Sequence, residues 1–423
     1  MRVMIGTVFG LMWACTLPGT ATAQGLPRAR PEQVGLSATA LDHITPALQS
    51  YVDSGKIPGL LALVARHGKV AYSAAVGWMN VEGRRRMSPD AVFRIYSLTK
   101  PVTSAAVMQL YDRGALRLDD PVSKYIPAFA GVKVYAGGGA MTPILHDPER
   151  PVTLADLLTH SSGLTYGFLG NTPVDSIYRR AGLGDPHWTL AQLSDSLAHL
   201  PLSFSPGTRW NYGYSLDVLA RVVEVVSGMP FDRYLDSAVF RPLGMTSTAF
   251  HVTPQMEGRL MTVYATGRDG KLQATAPLVA TQFTPEARML SGGGGLLSTV
   301  SDYVRFAQML VNGGELNGRR LLKRETVALM MQNHLAPGLT VDVRPDWPPG
   351  TNGFGYGGAV RIDSDTMVPG SPGTFRWVGG ASTFFWIDPT ADLVAMVWTQ
   401  YGPVAWYLDA QFQRLVYAAV TER

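Results

Sequence analysis

The sequence is nearly devoid of cysteine. Its one cysteine, Cys15, sits in an apolar N-terminal segment. Past that segment no thiol remains for a cysteine nucleophile, a thiolate metal site or a disulfide framework. Charge is also scarce: charged residues make up 16% of the 423 residues, and seven lysines are spread singly. The formal net charge is +4. The densest basic stretch, Arg84-Arg85-Arg86, reads as a solvated loop, so no groove for nucleic acid is expected. The eight histidines are scattered, with no H-E-x-x-H and no close pair. No metal or organic cofactor is therefore expected. The chain has no G-x-S-x-G pentapeptide and no regular strand–helix alternation, which disfavours a conventional α/β-hydrolase.

Apolar residues are plentiful, at 46%, enough for one large domain or two interlocked ones. At the N-terminus Arg2 precedes an apolar run from Val3 to Leu17, and Ala21-Thr22-Ala23 forms a small-x-small cleavage site. This predicts a signal peptide over 1–23, a mature start at Gln24 and a periplasmic or secreted protein. Pro18 and Gly19 end the run too early for a span, so no stable membrane anchor is expected after signal removal. Met12-Trp13-Ala14 before Cys15 make a poor lipoprotein signal.

Gly25 to Gly35 reads as an exposed leader. Leu41, Ile44, Leu48 and Val52 form a helical stripe within 37–54. Leu60 to Val76 reads as a hairpin turning at His67-Gly68-Lys69. A helix is expected from Ser97 to about Asp112, closed by Gly114, with Pro101 tolerated in its first turn. Residues 115–290 are rich in loops and short helices, among which 215–227 is clearly amphipathic and ends at Gly228. A tight glycine loop over 291–295 precedes a helix over 301–310, capped by Thr299 or Ser301. Strands 383–387 and 393–399 flank a turn at 388–392. A last helix carries Leu408, Phe412, Leu415, Val416 and Ala419. This order predicts an α+β fold: an antiparallel sheet flanked by terminal helices, with a mostly helical region inserted between its strands. The expected division is 24–100 with 291–423 as a discontinuous α/β region, and 101–290 as the helical region, with the active site between them.

Three segments carry chemistry. Ser97-Leu98-Thr99-Lys100 has S-x-x-K spacing, which on a helix brings Ser97 Oγ and Lys100 Nζ to one face. A serine hydroxyl becomes nucleophilic when a neighbour takes its proton, and a desolvated lysine can be that neighbour. At a helix start the Ser97 N–H is free, and the helix dipole favours an oxyanion. In the second segment, Ser205 to Tyr212, a tyrosine ahead of a helix can relay protons, with Tyr212 and Tyr214 both candidates. The third is Arg376-Trp377-Val378-Gly379-Gly380-Ala381. Its glycines allow close approach, and Gly380 can supply a second oxyanion N–H or simply a bulge or tight turn.

Together these segments resemble the serine β-lactamase and penicillin-binding-protein superfamily, in particular its class C-like branch with the family VIII carboxylesterases. Supporting phrases are Phe93-Arg94-Ile95-Tyr96, Leu118-Asp119-Asp120-Pro121-Val122, Leu157 to Leu164, Pro206 to Trp210, and Ser291 to Thr299. The resemblance spans about 32–420 and implies a β-lactamase-like fold. It implies Ser97 as the acylated nucleophile, Lys100 as its partner, Tyr212 as the first position of the Y-x-N motif, and Trp377-Val378-Gly379 at the K-T-G position. Oxyanion donors would be the N–H groups of Ser97 and Gly380. His160, inside one of these phrases, is expected to be a buried, hydrogen-bonded loop residue.

The departures from the family pattern concern the substrate. Tyr214 stands where the Y-x-N asparagine binds an amide, and Trp377 replaces a lysine that attracts a carboxylate. Both tilt the expected small-molecule substrate from β-lactams to carboxylic esters. Tyr214, Trp377, Val378 and Gly379 are the expected substrate-binding residues. Arg376 could substitute for the missing lysine, so weak β-lactam hydrolysis stays open. The alternatives are a class C-like β-lactamase or D-amino-acid peptidase or amidase, and a non-catalytic penicillin-binding-like sensor.

Overall fold

The computed structural model describes residues 25–277, 283–341, 347–348, 350–363 and 368–421. The expected signal peptide over 1–23, with Cys15, lies outside them. Where one helix was expected over 37–54, two form: α1 (Ala38–Asp42) and α2 (Ile44–Asp53). Ser37 caps α1 by accepting the Ala40 N–H at 3.2 Å. The break at His43 follows from Pro46, which has no N–H to return to residue 42.

The expected hairpin forms from β1 (Gly59–Arg66) and β2 (Lys69–Asn80). His67 and Gly68, at φ 50° and 71°, make its two-residue turn in the left-handed region that matches strand twist. With β3 (Arg85–Arg86), β4 (Asn352–Phe354), β5 (Ala359–Arg361), β6 (Phe375–Gly379), β7 (Thr383–Asp388) and β8 (Leu393–Trp398), it builds an antiparallel sheet of order β4-β5-β6-β7-β8-β1-β2-β3. Because β1 lies between β8 and β2, strands from the two ends of the chain share one sheet.

The sheet is covered on both faces, and strict alternation sorts its side chains. Leu61, Leu63, Phe385, Met396 and Trp398 enter the main core, with α3 (Thr99–Asp112) and α6 (Val300–Val311). Leu60, Ala62, Val64, Trp386, Ala395 and Val397 enter a second core. There they meet Ile44 and Leu48 of α2 and Leu408, Phe412 and Val416 of α7 (Trp406–Ala418). Each such Leu, Val or Phe contributes about 1.5–3 kcal/mol of hydrophobic stabilisation. Between the strand groups lie α4 (Pro173–Arg180) and α5 (Ser215–Ser227), the latter closed by Gly228 at φ 68°. Thr299 caps α6 by accepting the Asp302 N–H at 3.1 Å.

The helix α3 is buried on every side from Thr99 to Leu110. A helix with no solvent face has no place for a solvated lysine, and Lys100 is inside it. The leader is only partly exposed: Pro27, Arg28, Arg30, Glu32 and Gln33 face solvent, but the segment is tied to β2. The Ala29 N–H donates to Val70 at 3.0 Å, the Val70 N–H donates to Pro27 at 2.7 Å, and Leu26 and Val34 are buried. The leader covers an edge of β2 that β3 does not reach, which removes an open strand edge. The arginine cluster is only partly a solvated loop. Arg85 donates to the Gly258 and Leu260 carbonyls at 2.9 and 2.8 Å, and Arg86 lies 4.0 Å over the Trp78 ring. The strands β3, β4 and β5, and a glycine-bearing hairpin over 134–146, were not anticipated. β3, β4 and β5 have two or three residues, below the length at which alternation can be read, and the first hairpin strand ends in three glycines that blur it.

Candidate active site

Ser97 stands in a tight turn, Tyr96–Leu98, and α3 begins two residues later, at Thr99, rather than at Ser97 as expected. Tyr96 before it has φ 43°, a left-handed conformation that costs a tyrosine on the order of 1 kcal/mol. Lys100 is fully buried one turn on. Its Nζ lies 3.2 Å from Ser97 Oγ and donates to the Gly293 carbonyl at 2.7 Å. Burial pulls the Lys100 pKa down to about 7, against an opposing pull from Asp217. At neutral pH much of this amine is uncharged. An uncharged amine in this place can hold Gly293 with an N–H and still has a lone pair able to accept the Ser97 hydroxyl proton.

The glycine loop that receives Lys100 is pinned from two helices. Thr103 of α3 donates to the Gly292 carbonyl at 2.7 Å, and the Leu296 N–H donates to Thr99 Oγ1 at 3.1 Å. From α5, the Asp217 carboxylate accepts the Ser291 hydroxyl at 2.5 Å and the Gly293 N–H at 3.1 Å. A Cβ on Gly292 would fall 2.4 Å from the Leu216 carbonyl oxygen, so only glycine fits this crossing. Asp217 escaped the sequence reading. An acid in the first turn of a helix looks like an ordinary dipole partner, and its loop partners lie more than seventy residues away.

Asp217 faces Lys100 from α3 and the tyrosines 166, 212 and 214. Burial raises its pKa from the ordinary aspartate value, while Ser291, Lys100 and the Gly293 N–H pull the other way. Its charge favours the Lys100 ammonium, so Asp217→Asn is expected to lower the lysine pKa further. Activity that needs neutral Lys100 rises as pH passes its pKa. The acid limb of kcat/KM should therefore move down by about 0.5–1 pH unit in the variant. A limb that stays in place or moves up would remove Asp217 from the electrostatics of the site.

The loop carrying Tyr212 is held on both sides of that residue. The Asn211 N–H donates to the His160 carbonyl at 2.9 Å, and the Gly213 N–H reaches His160 Nδ1 at 3.4 Å. His160 is buried, and burial together with Lys100 keeps its pKa well below the ordinary value, so it stays neutral and can accept. This matches its expected role as a hydrogen-bonded loop histidine. The Tyr212 ring centroid is 4.4 Å from Lys100 Nζ, and its hydroxyl accepts the Trp377 indole N–H at 3.2 Å. Burial pushes the Tyr212 pKa upward, with the neighbouring Ser97 hydroxyl and Trp377 indole pulling the other way. Tyr212 thus keeps its proton at neutral pH. Tyr214 lies further out. It packs on Tyr166 at 4.7 Å between centroids, and Tyr166 packs on Tyr212 at 5.3 Å. No sequence signal marked Tyr166.

The end of β6 closes the site. β5 pairs only with Phe375 and Arg376, leaving the Trp377–Gly379 edge open on that side. A Cβ on Gly379 would fall 2.3 Å from the Ile95 carbonyl oxygen, two residues before Ser97, so glycine permits this contact. Among the described residues, neither the Ser97 nor the Gly380 N–H donates a hydrogen bond. Trp377 faces Tyr212 and the main core, but its neighbours on the strand do not. The Val378 side chain packs into the second core. Arg376 donates to Asn352 Oδ1 at 2.6 Å and lies 4.1 Å over the Trp347 ring. Neither the Val378 side chain nor the Arg376 guanidinium therefore lines the site, contrary to expectation. The two-residue period of a strand dictates this once Trp377 faces inward.

A family model described as Beta-lactamase matches residues 44–418. The chain belongs to the β-lactamase family. This β-lactamase-family chain is 33% identical over 388 residues to Esterase EstB of Burkholderia gladioli, covering 86% of the chain and 91% of that protein. It is 32% identical over 361 residues to Lovastatin esterase of Penicillium rubens, covering 80% and 88%. Among solved structures it resembles EstCE1, described as a hydrolase with promiscuous acyltransferase activity. The TM-score is 0.78 at 27% identity, covering 90% of this chain and 99% of that one. The β-lactamase-family sheet and helices seen here are thus shared with esterase and acyltransferase members of the serine β-lactamase and penicillin-binding-protein superfamily.

Proposed function

We propose that this chain is a serine hydrolase that cleaves carboxylic esters through an acyl-enzyme on Ser97. The observation that carries this reading is a fully buried lysine nitrogen 3.2 Å from Ser97 Oγ, with a pKa drawn down to about 7. Opposite shifts on two neighbouring groups assign the roles: Lys100 is the base and Tyr212 the proton donor. Neutral Lys100 takes the Ser97 proton as Oγ bonds to the ester carbonyl carbon. The carbonyl oxygen becomes an oxyanion facing the N–H groups of Ser97 and Gly380. The ester C–O bond then breaks, Tyr212 protonates the departing alkoxide, and the Lys100 ammonium restores the Tyr212 proton. Water attacks the acyl-enzyme by the same route in reverse, releasing the acid and Ser97.

Trp377 and Tyr214 favour an uncharged ester, because neither supplies a cation for a substrate carboxylate. Arg376 is held on the far face of β6 and cannot substitute. Esterase EstB and Lovastatin esterase, by their names, act on esters, which supports the same class for this chain. The name of EstCE1 supports an acceptor alcohol standing in for water at the second step. The apolar leader over 1–23 supports export to the periplasm or beyond, where the ester would be met.

The test is a comparison of p-nitrophenyl acetate with a chromogenic cephalosporin on one preparation. The ester is expected to have a kcat/KM at least about a hundredfold higher. A cephalosporin turned over as well as the ester would shift the function to β-lactam hydrolysis. Acylation of Ser97 without turnover of either would make the chain a sensor.

A further inference from the structure

The loop 167–170 carries two large apolar side chains into solvent, Phe168 at 68% and Leu169 at 60% exposure. It is built to do so. Arg179 of α4 donates from one guanidinium nitrogen to the carbonyls of Gly167 and Gly170, the latter at 2.7 Å. Those two carbonyls flank Phe168-Leu169. Gly167 has φ 77°, a conformation a side chain would strain. Of the charges nearby, Asp175 is buried, while Arg179 and Arg180 stay exposed with their guanidinium groups bonded to backbone carbonyls. Asp175 accepts from Thr165 Oγ1 and from the N–H and hydroxyl of Thr172, and Arg179 also donates to Ser176 Oγ. The side chains that the loop itself presents to solvent are the hydrocarbon of Phe168 and Leu169.

This surface is continuous with the catalytic centre. The Phe168 ring stacks on Tyr166 at 5.2 Å between centroids. Tyr166 in turn meets Tyr212, and its ring centroid is 5.3 Å from Lys100 Nζ. On the next residue of α4, Arg180 donates at 2.5 Å to the Ala140 carbonyl at the tip of the 134–146 hairpin. That hairpin exposes Met141 and Ile144. One helix end thus holds two apolar projections.

We infer that Phe168 and Leu169, flanked by Met141 and Ile144, form an apolar lip that binds an extended hydrocarbon chain of the ester substrate while its carbonyl sits at Ser97. This rests on the ester-hydrolase reading and specifies its substrate class. Taking a Phe or Leu side chain out of water is worth roughly a ten- to hundredfold gain in affinity. A chain laid along Tyr166 and Phe168 gains that contact, and an acetyl or ethyl group is too short to reach it.

The experiment compares wild type with the double variant Phe168→Ala/Leu169→Ser in two series. One lengthens the acyl group, from p-nitrophenyl acetate to octanoate. The other lengthens the alcohol, from ethyl acetate to octyl acetate. The long-to-short ratio of kcat/KM is expected to fall about tenfold or more in one series, mainly through KM, which identifies the bound chain. Phe168→Leu, which stays apolar, should keep that ratio within about threefold of wild type. Ratios unchanged within about twofold in both series, on an enzyme that turns over acetate esters, would overturn the lip and leave the ester reading standing. Absence of acetate turnover in wild type would instead overturn the ester reading itself.

Discussion

Replacing Ser97 by alanine is expected to lower kcat/KM for a short p-nitrophenyl ester by about four orders of magnitude or more. No other described hydroxyl is placed 3.2 Å from Lys100 Nζ at the head of a helix, so no neighbour can take over as nucleophile. The fold should survive the change. Lys100 loses one partner but keeps the Gly293 carbonyl, and the Ser97 side chain is not part of either core. The thermal midpoint should stay within a few degrees of wild type, with labelling by a fluorophosphonate abolished. A folded variant that retains turnover would place the nucleophile elsewhere and end the acyl-enzyme reading.

Tyr212→Phe is expected to cost about a hundred- to ten-thousandfold in kcat, with KM little changed. The ring contacts with Lys100, His160 and Tyr166 all survive in phenylalanine. What is lost is the hydroxyl proton donor, together with the acceptor for the Trp377 N–H. An unpaired indole N–H costs about 1 kcal/mol of stability, far too little to explain the loss of activity through unfolding. Tyr214→Phe is the control. It lies beyond Tyr166, and its removal should change kcat by less than about fivefold. Equal losses in the two variants, or a larger loss at Tyr214, would show that the proton passes through a different tyrosine.

The two predictions differ in how far the sequence could carry them. Ser97 and Lys100 are three residues apart, so helix geometry alone sets them face to face. Tyr212 and Tyr214 are two apart in a loop, where no period applies; the family resemblance set Tyr212 first in its motif, and packing places Tyr214 beyond Tyr166. Val378 and Arg376 show a signal that was present and unused, since consecutive residues of a strand point to opposite faces and both are neighbours of Trp377. Asp217, Ser291 and Gly293 offered no such signal. Their meeting depends on how closely α5 crosses a glycine loop, and on nothing local in either segment.

The chain by itself determined its helices with apolar stripes, its long hairpin strands, the α+β order and the serine–lysine pair. Each follows from a period or spacing within some fifteen residues, which neighbouring side chains enforce wherever the segment ends up. Tertiary structure alone decided that α3 is buried all round, and with it the state of Lys100. A lysine on a surface helix is a permanent cation. The same lysine, packed under Tyr166 and Tyr212 and tied to Gly293, loses enough hydration for its pKa to fall to about 7. Desolvation is set by everything that surrounds a group, and that set is assembled from segments nearly two hundred residues apart.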